Sequence, residues 1–158
     1  MNTPDYSLNF SAYEWEELCE APVLAGITVM DAHPSGWLGS LEELRSLKAC
    51  LAPVPDDHSL IVEVKKSILA QDLIGPERQK SFAEIRERTL QVLRNLSAVL
   101  PDRLDEPSQT AYLQFIKNLM ERVADAAREG GILGSQTQNI SPQERAVIEE
   151  LSRALDPE

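Results

Sequence analysis

The 158 residues are 42% hydrophobic and 26% charged, a balance that suits one globular domain burying about two thirds of its unfolded-chain surface without a disulfide or metal staple. The net charge is −11, with ten acids against two bases in residues 1–60, and a field of that sign repels phosphate backbones and anionic lipid surfaces, which speaks against nucleic-acid and membrane partners. The longest uncharged apolar run, Ala21 to Met30, is too short to cross a bilayer, and Met1 to Asn9 lacks a basic region followed by an apolar core, so a cytoplasmic protein without a secretory signal is expected.

The first helix is announced by Ser11-Ala12-Tyr13-Glu14, a capping box in which serine and glutamate satisfy each other's amide, with Phe10 and Trp15 as a hydrophobic staple. Residues 1–9 ahead of it are expected to be flexible. Pro22 has no proton for the carbonyl of Leu18 and crowds it, which predicts two segments, 12–20 and 22–32. The second, apolar on nearly every side, should be central to the core, with Ala25 and Gly26 admitting a close neighbour. Glu14, Glu16, Glu17 and Glu20 read as a solvated face.

Ser40 caps a short helix with Leu41, Leu44, Leu47 and Leu51 on one face, stopped by Pro53 and Pro55. Asp56 or Asp57 then caps a further helix through Val64, Ile68 and Leu73; Leu60 to Val64 has strand propensity, but no second strand exists to pair with it. From Glu77 to Val99 the positions Phe82, Ile85, Thr89, Val92, Leu96 and Val99 alternate by three and four, and Leu90, Leu93 and Leu100 widen the stripe into that of an ordinary bundle helix. Lys65, Lys66, Arg78, Lys80, Arg86, Arg88 and Arg94 read as a solvated rim.

Pro101 to Pro107 is expected to be a turn. Tyr112, Phe115, Ile116, Leu119, Met120, Val123 and Ala127 describe the next core-facing helix, ended by Gly130-Gly131. Ser141, Pro142 and Glu144 form a strong cap for a last helix whose buried face is Val147, Ile148, Leu151 and Leu155, after which 156–158 should fray. With six or seven helices and no paired strands, the expected fold is a single all-α helical bundle.

Gly36-Trp37-Leu38-Gly39-Ser40 returns as Gly131-Ile132-Leu133-Gly134-Ser135, each copy closing an alanine-rich helix ahead of a capped one. This reads as an internal duplication of a helix, glycine loop, helix unit. Trp37 sits between Gly36 and Gly39, and its counterpart Ile132 follows Gly131, so both loops present a large hydrophobe as a core plug or a partner anchor. Counted from Asp31, the first loop also matches the frame of a calcium loop: Ser35 at position 5, Gly36 at 6, Glu42 at 12. His33 at position 3 is a poor ligand for a hard cation, which leaves Asp31, Ser35 and Glu42 as a weak metal set.

On the stretches Val29-Met30-Asp31 through Glu43-Leu44 and Asn139-Ile140-Ser141-Pro142-Gln143-Glu144-Arg145 the chain resembles the tellurite-resistance TerB-like helical domains. The resemblance covers about a third of the residues. It implies a helical fold and, at the loops, a divalent-metal site, although four residues separate Asp31 from Gly36 where the family carries an Asp-Gly pair.

His33 and His58 have no serine, cysteine or carboxylate partner at a diagnostic spacing, and no nucleotide, zinc-protease or serine-hydrolase motif occurs. Cys19 and Cys50 lack CxxC spacing and read as reduced, half-buried thiols. The expected function is a non-catalytic module, without a cofactor, that binds another protein or a second copy of itself. The alternative is a small-molecule or divalent-metal module with its site at the glycine loops.

Overall fold

The computed structural model describes residues 5–32, 45–71, 81–131 and 142–156. Their regular structure is entirely helical: a 3-10 turn Tyr6–Asn9, then α1 (Ala12–Ala32), α2 (residues 45–50), α3 (Ser59–Gln71), α4 (Phe82–Arg103), α5 (Glu106–Gly131) and α6 (Pro142–Leu155). The all-α bundle is what forms. The duplicated loops fall on 33–44 and 132–141, outside the described residues, although the helices that enter them, α1 and α5, do pack together.

Helix α1 starts as its spacing predicts: Ser11 N donates to Glu14 Oε1 at 2.9 Å, Glu14 N donates to Ser11 Oγ at 3.1 Å, and the Phe10 and Trp15 rings lie 5.9 Å apart. It does not divide at Pro22. The helix runs unbroken from Ala12 to Ala32 because the carbonyl that the proline leaves without an amide proton, that of Leu18, accepts the Tyr112 hydroxyl of α5 at 2.7 Å. Tyr112 is fully buried, and burial pushes its phenol well above the usual value, so it stays a neutral donor.

Every residue from Ala21 to Met30 is buried, and α1 touches α3, α4, α5 and α6, which makes it the central element. At Gly26 an added Cβ would come within 2.7 Å of Leu47 Cδ1 and 3.2 Å of Leu119 Cδ2. The glycine is where α2 and α5 close on α1, as the small residues suggested.

Helix α4 begins at Phe82 under a second capping box, Ser81 with Glu84, rather than at Glu77. Ile85, Thr89, Val92, Leu96 and Leu100 are buried, while Phe82, at the first helical position, is exposed. The helix also outruns the turn expected at Pro101: Leu104 N donates to Leu100 O at 2.9 Å, so the ladder continues past the proline to Arg103. Asp105 then caps α5 through Ser108 N at 2.9 Å, and Pro107 occupies a first-turn position where no amide proton is missed.

Of the acids of α1, Glu16 is exposed as expected, but Glu14, Glu17 and Glu20 face α4 instead of water. Glu14 takes the Arg103 guanidinium through two bonds at 3.1 Å, Glu17 accepts from Asn95 at 2.9 Å, and Glu20 takes Arg88 at 3.1 Å. Rising numbers on α1 meet falling numbers on α4, so the two helices are antiparallel. Deeper in this interface the Thr28 and Thr89 hydroxyls lie 2.9 Å apart: one donates to the other, and the one that accepts gives its own proton to its helix, Thr28 to Leu24 O or Thr89 to Ile85 O. Arg86 in turn pairs with Glu150 of α6. Four-residue helical spacing alone does not distinguish a solvated charge from one that meets an opposite charge on a neighbouring helix.

In the two segments expected to be loose, the described residues 5–9 and 156 are tied down. Glu63 of α3 accepts the amides of Tyr6 at 3.1 Å and Ser7 at 3.3 Å, holding the 3-10 turn against the bundle. Asp156 keeps its amide on Ser152 O at 2.8 Å, with its carboxylate 3.8 Å from Lys117. Burial raises the Glu63 carboxyl.

Tyr112→Phe leaves the Leu18 carbonyl buried without a donor and should cost about 1–3 kcal/mol by urea denaturation. Pro22→Ala, which returns an amide proton to that carbonyl, should recover part of the loss in the Tyr112→Phe background. A double-mutant cycle with no coupling would break the connection.

Glu14 has its carboxyl held below the ordinary 4.5, first by the Arg103 hydrogen bonds and then by the Ser11 amide. A depressed carboxylate contributes stability above its unfolded pKa and loses it as pH falls through the lower folded value. Stability measured from pH 7 downward should therefore decline below about pH 4.5, and Glu14→Gln should make that decline shallower.

Candidate functional site

Between α2 and α3 the chain turns through residues 51–58, where Pro53 and Pro55 each remove a helical amide proton and disfavour helix. The turn closes on Asp57, whose Oδ2 accepts Val54 N at 2.9 Å while Asp57 N donates to Val54 O at 3.1 Å. That same oxygen receives the Lys65 ammonium at 2.8 Å. Lys65 also donates to Ala52 O at 3.0 Å, and its nitrogen lies 5.6 Å from the centre of the Phe115 ring.

Only 4% of Lys65 is exposed, so it is not part of the solvated rim that its charge suggested. The reason is its register: Ile61, Val64, Lys65 and Ile68 fall on one buried stripe of α3. A cation can occupy that stripe because the turn brings it a carboxylate and a carbonyl in place of water.

His58, and neither Asp56 nor Asp57, caps α3, its Nδ1 accepting Leu60 N at 3.1 Å. Its ring lies 6.1 Å from that of Tyr6, and the Tyr6 hydroxyl is 3.2 Å from Ser59 Oγ. The histidine therefore joins the amino-terminal turn to the start of α3. Its proximity also helps, after the Ser108 hydrogen bonds, to hold the Asp105 carboxyl below its ordinary value.

These elements leave a cleft of about 370 Å³ between the 51–58 turn, the end of α2, α3 and α5. Cys50, Val54, Ile61, Phe115 and Leu119 supply its apolar surface, and Asp56, His58, Gln114, Asn118 and Arg122 its polar groups. Ser46 Oγ bonds the Arg122 carbonyl at 3.3 Å, which places α2 at the Arg122 end of α5, while Lys65, bound to Asp57 and 5.6 Å from the centre of the Phe115 ring, places the turn about two helical turns nearer the start of α5. The cleft thus runs along α5 from the Ala111 end to Arg122.

Both cysteines are buried and free. Burial pushes the Cys19 thiol up to about 12 and raises that of Cys50, against which Arg122 and Lys65 act weakly in the opposite sense. Neither is an activated nucleophile.

Of the residues singled out from sequence, Trp37, Gly36, Gly39, Ser35, Glu42, His33 and Ile132 lie outside the described residues. Gly131 is the last residue of α5, and Asp31 is exposed in the last turn of α1. Among the described residues no three histidine, cysteine, aspartate or glutamate side chains gather where a metal could bind, and no helix is long and apolar enough to cross a membrane. Compared with known proteins, the chain matches no family model, no curated protein and no solved structure.

Asp57→Ala strands the buried Lys65 ammonium and should cost about 3–5 kcal/mol in urea unfolding. Adding Lys65→Met to Asp57→Ala removes the stranded charge and should return a large part of that loss. A double variant no more stable than the single would show that the pair's role lies elsewhere.

Proposed function

We propose that this protein is a non-catalytic helical binding module and that the cleft between the 51–58 turn, α3 and α5 is its receptor surface for a segment of another protein or of a second copy. The observation that carries this reading is how the side chains around the cleft are employed. The groups with chemical reactivity build the wall: Lys65 is bound to Asp57 and Ala52, His58 caps α3, and Cys50 is buried with its thiol raised. The groups that face outward are suited to recognition: Val54, Gln114 and Asn118 are exposed beside the half-buried Phe115, above a floor of buried Ile61 and Leu119. An apolar centre with a polar rim is the general anatomy of a protein interface.

A second reading, a small organic ligand, is favoured by the volume of about 370 Å³, which falls in the size range of small-molecule sites. Divalent-metal binding at the glycine loops, which the TerB-like resemblance implies, would draw on Asp31 at the end of α1. Melting curves against metabolites and divalent ions separate both from the first reading.

The experiment for the first reading is photo-crosslinking in the cells that make the protein. A crosslinking residue at Val54 should yield a discrete adduct, of twice the monomer mass if the partner is a second copy, whereas the same residue at exposed Ala98 on α4 should not. Adducts at Ala98 and none at Val54 would place the receptor surface elsewhere.

A further inference from the structure

Building on the binding-module reading, we infer that the cleft takes an extended peptide segment of about five residues, basic at one end and acidic at the other. The amides of Gln114 and Asn118 would hold its backbone.

Three features of the cleft carry this. The first is length: the α5 lining from Ala111 to Arg122 spans about 16 Å at 1.5 Å per residue, the reach of roughly five extended residues. The second is pitch. Gln114 and Asn118 line the cleft, both exposed and four positions apart, so they are displaced by about 6 Å along the helix, close to the ~6.6 Å that separates alternate residues of an extended chain. Each amide offers a donor and an acceptor, which is what the backbone N–H and C=O of every second residue require. Alternate side chains of such a segment would then drop onto Val54 and Phe115, the large lining hydrophobes with surface to offer.

The third feature is charge. Arg122 lies at one end of the cleft and Asp56 on the turn that Lys65 and Asp57 hold beside Phe115, about two helical turns away; both are exposed, and among the described residues neither side chain is engaged in an ion pair or hydrogen bond. The charged pair between them, Lys65 and Asp57, is already neutralised internally. The cleft therefore presents a dipole without net charge, which rejects a simple anion or cation and orients a segment carrying both.

The test uses the full chain as bait for a random twelve-residue phage-displayed library, followed by fluorescence anisotropy of the enriched peptides. All four positions are exposed, so the variants should keep the wild-type melting temperature, which is checked first. Enriched peptides should share a base, alternating apolar residues and an acid. Arg122→Glu, Asp56→Lys and the double change Gln114→Ala with Asn118→Ala should each weaken binding tenfold or more.

Reselection on Asp56→Lys with Arg122→Glu should reverse the charge order, and N-methylating alternate peptide amides should abolish binding. Failure to enrich, affinity indifferent to these variants, an unreversed charge order, or a helical bound peptide would each overturn the inference. A Val54 crosslink combined with any of those results would leave the binding-module reading standing and remove this one alone.

Discussion

The bundle depends on how a helix that is buried on nearly every side disposes of its backbone. Helix α1 meets α3, α4, α5 and α6, so a carbonyl deprived of its partner along this length has no water to turn to. Pro22 creates such a carbonyl at Leu18, and the Tyr112 hydroxyl answers it. The same contact fixes α5 against α1 at one height, while Gly26, four residues beyond the proline, lets Leu47 and Leu119 close at another. A proline and a glycine, each a poor choice in an isolated helix, set the register of the three-helix contact.

Polar groups are spent between helices in the same way. The Thr28 and Thr89 hydroxyls meet inside the α1–α4 interface, and the acids of α1 meet Arg88, Asn95 and Arg103 along its margin. The two arginine pairs are partly exposed and screened, so they set orientation and add little to stability, whereas Glu17 is buried and held by Asn95. Lys65 is different: its desolvation is offset only while Asp57, Ala52 and Phe115 surround it, and that requirement holds the 51–58 turn against α3 and α5. The cleft follows from it. A turn pinned at Lys65 stands over α5 without filling the space beneath, and Asp56 and Arg122 both line that space.

How far these features could be read in advance varies by residue. Ser11 with Glu14, and Phe10 with Trp15, were legible because capping and stapling involve residues within five positions of one another. The buried stripe of α4 and the all-apolar run of α1 were legible because helical periodicity is local. Lys65 carried a signal that its charge masked: it shares the stripe of Ile61, Val64 and Ile68. For Glu17, no local pattern separates a solvated glutamate from one covered by Asn95, seventy-eight residues away.

By itself, then, the sequence determined the helical class, the capped starts at Ser11 and the central, uncharged character of 21–30, all of which are properties of a few neighbouring residues. Only the tertiary structure decided that α1 continues through Pro22, that Lys65 is buried, that His58 caps α3 and that a cleft lies along α5. Each of these rests on a donor, acceptor or ring supplied from another helix or turn, and the free energy of a buried polar group depends on that distant partner more than on its own neighbours in the chain.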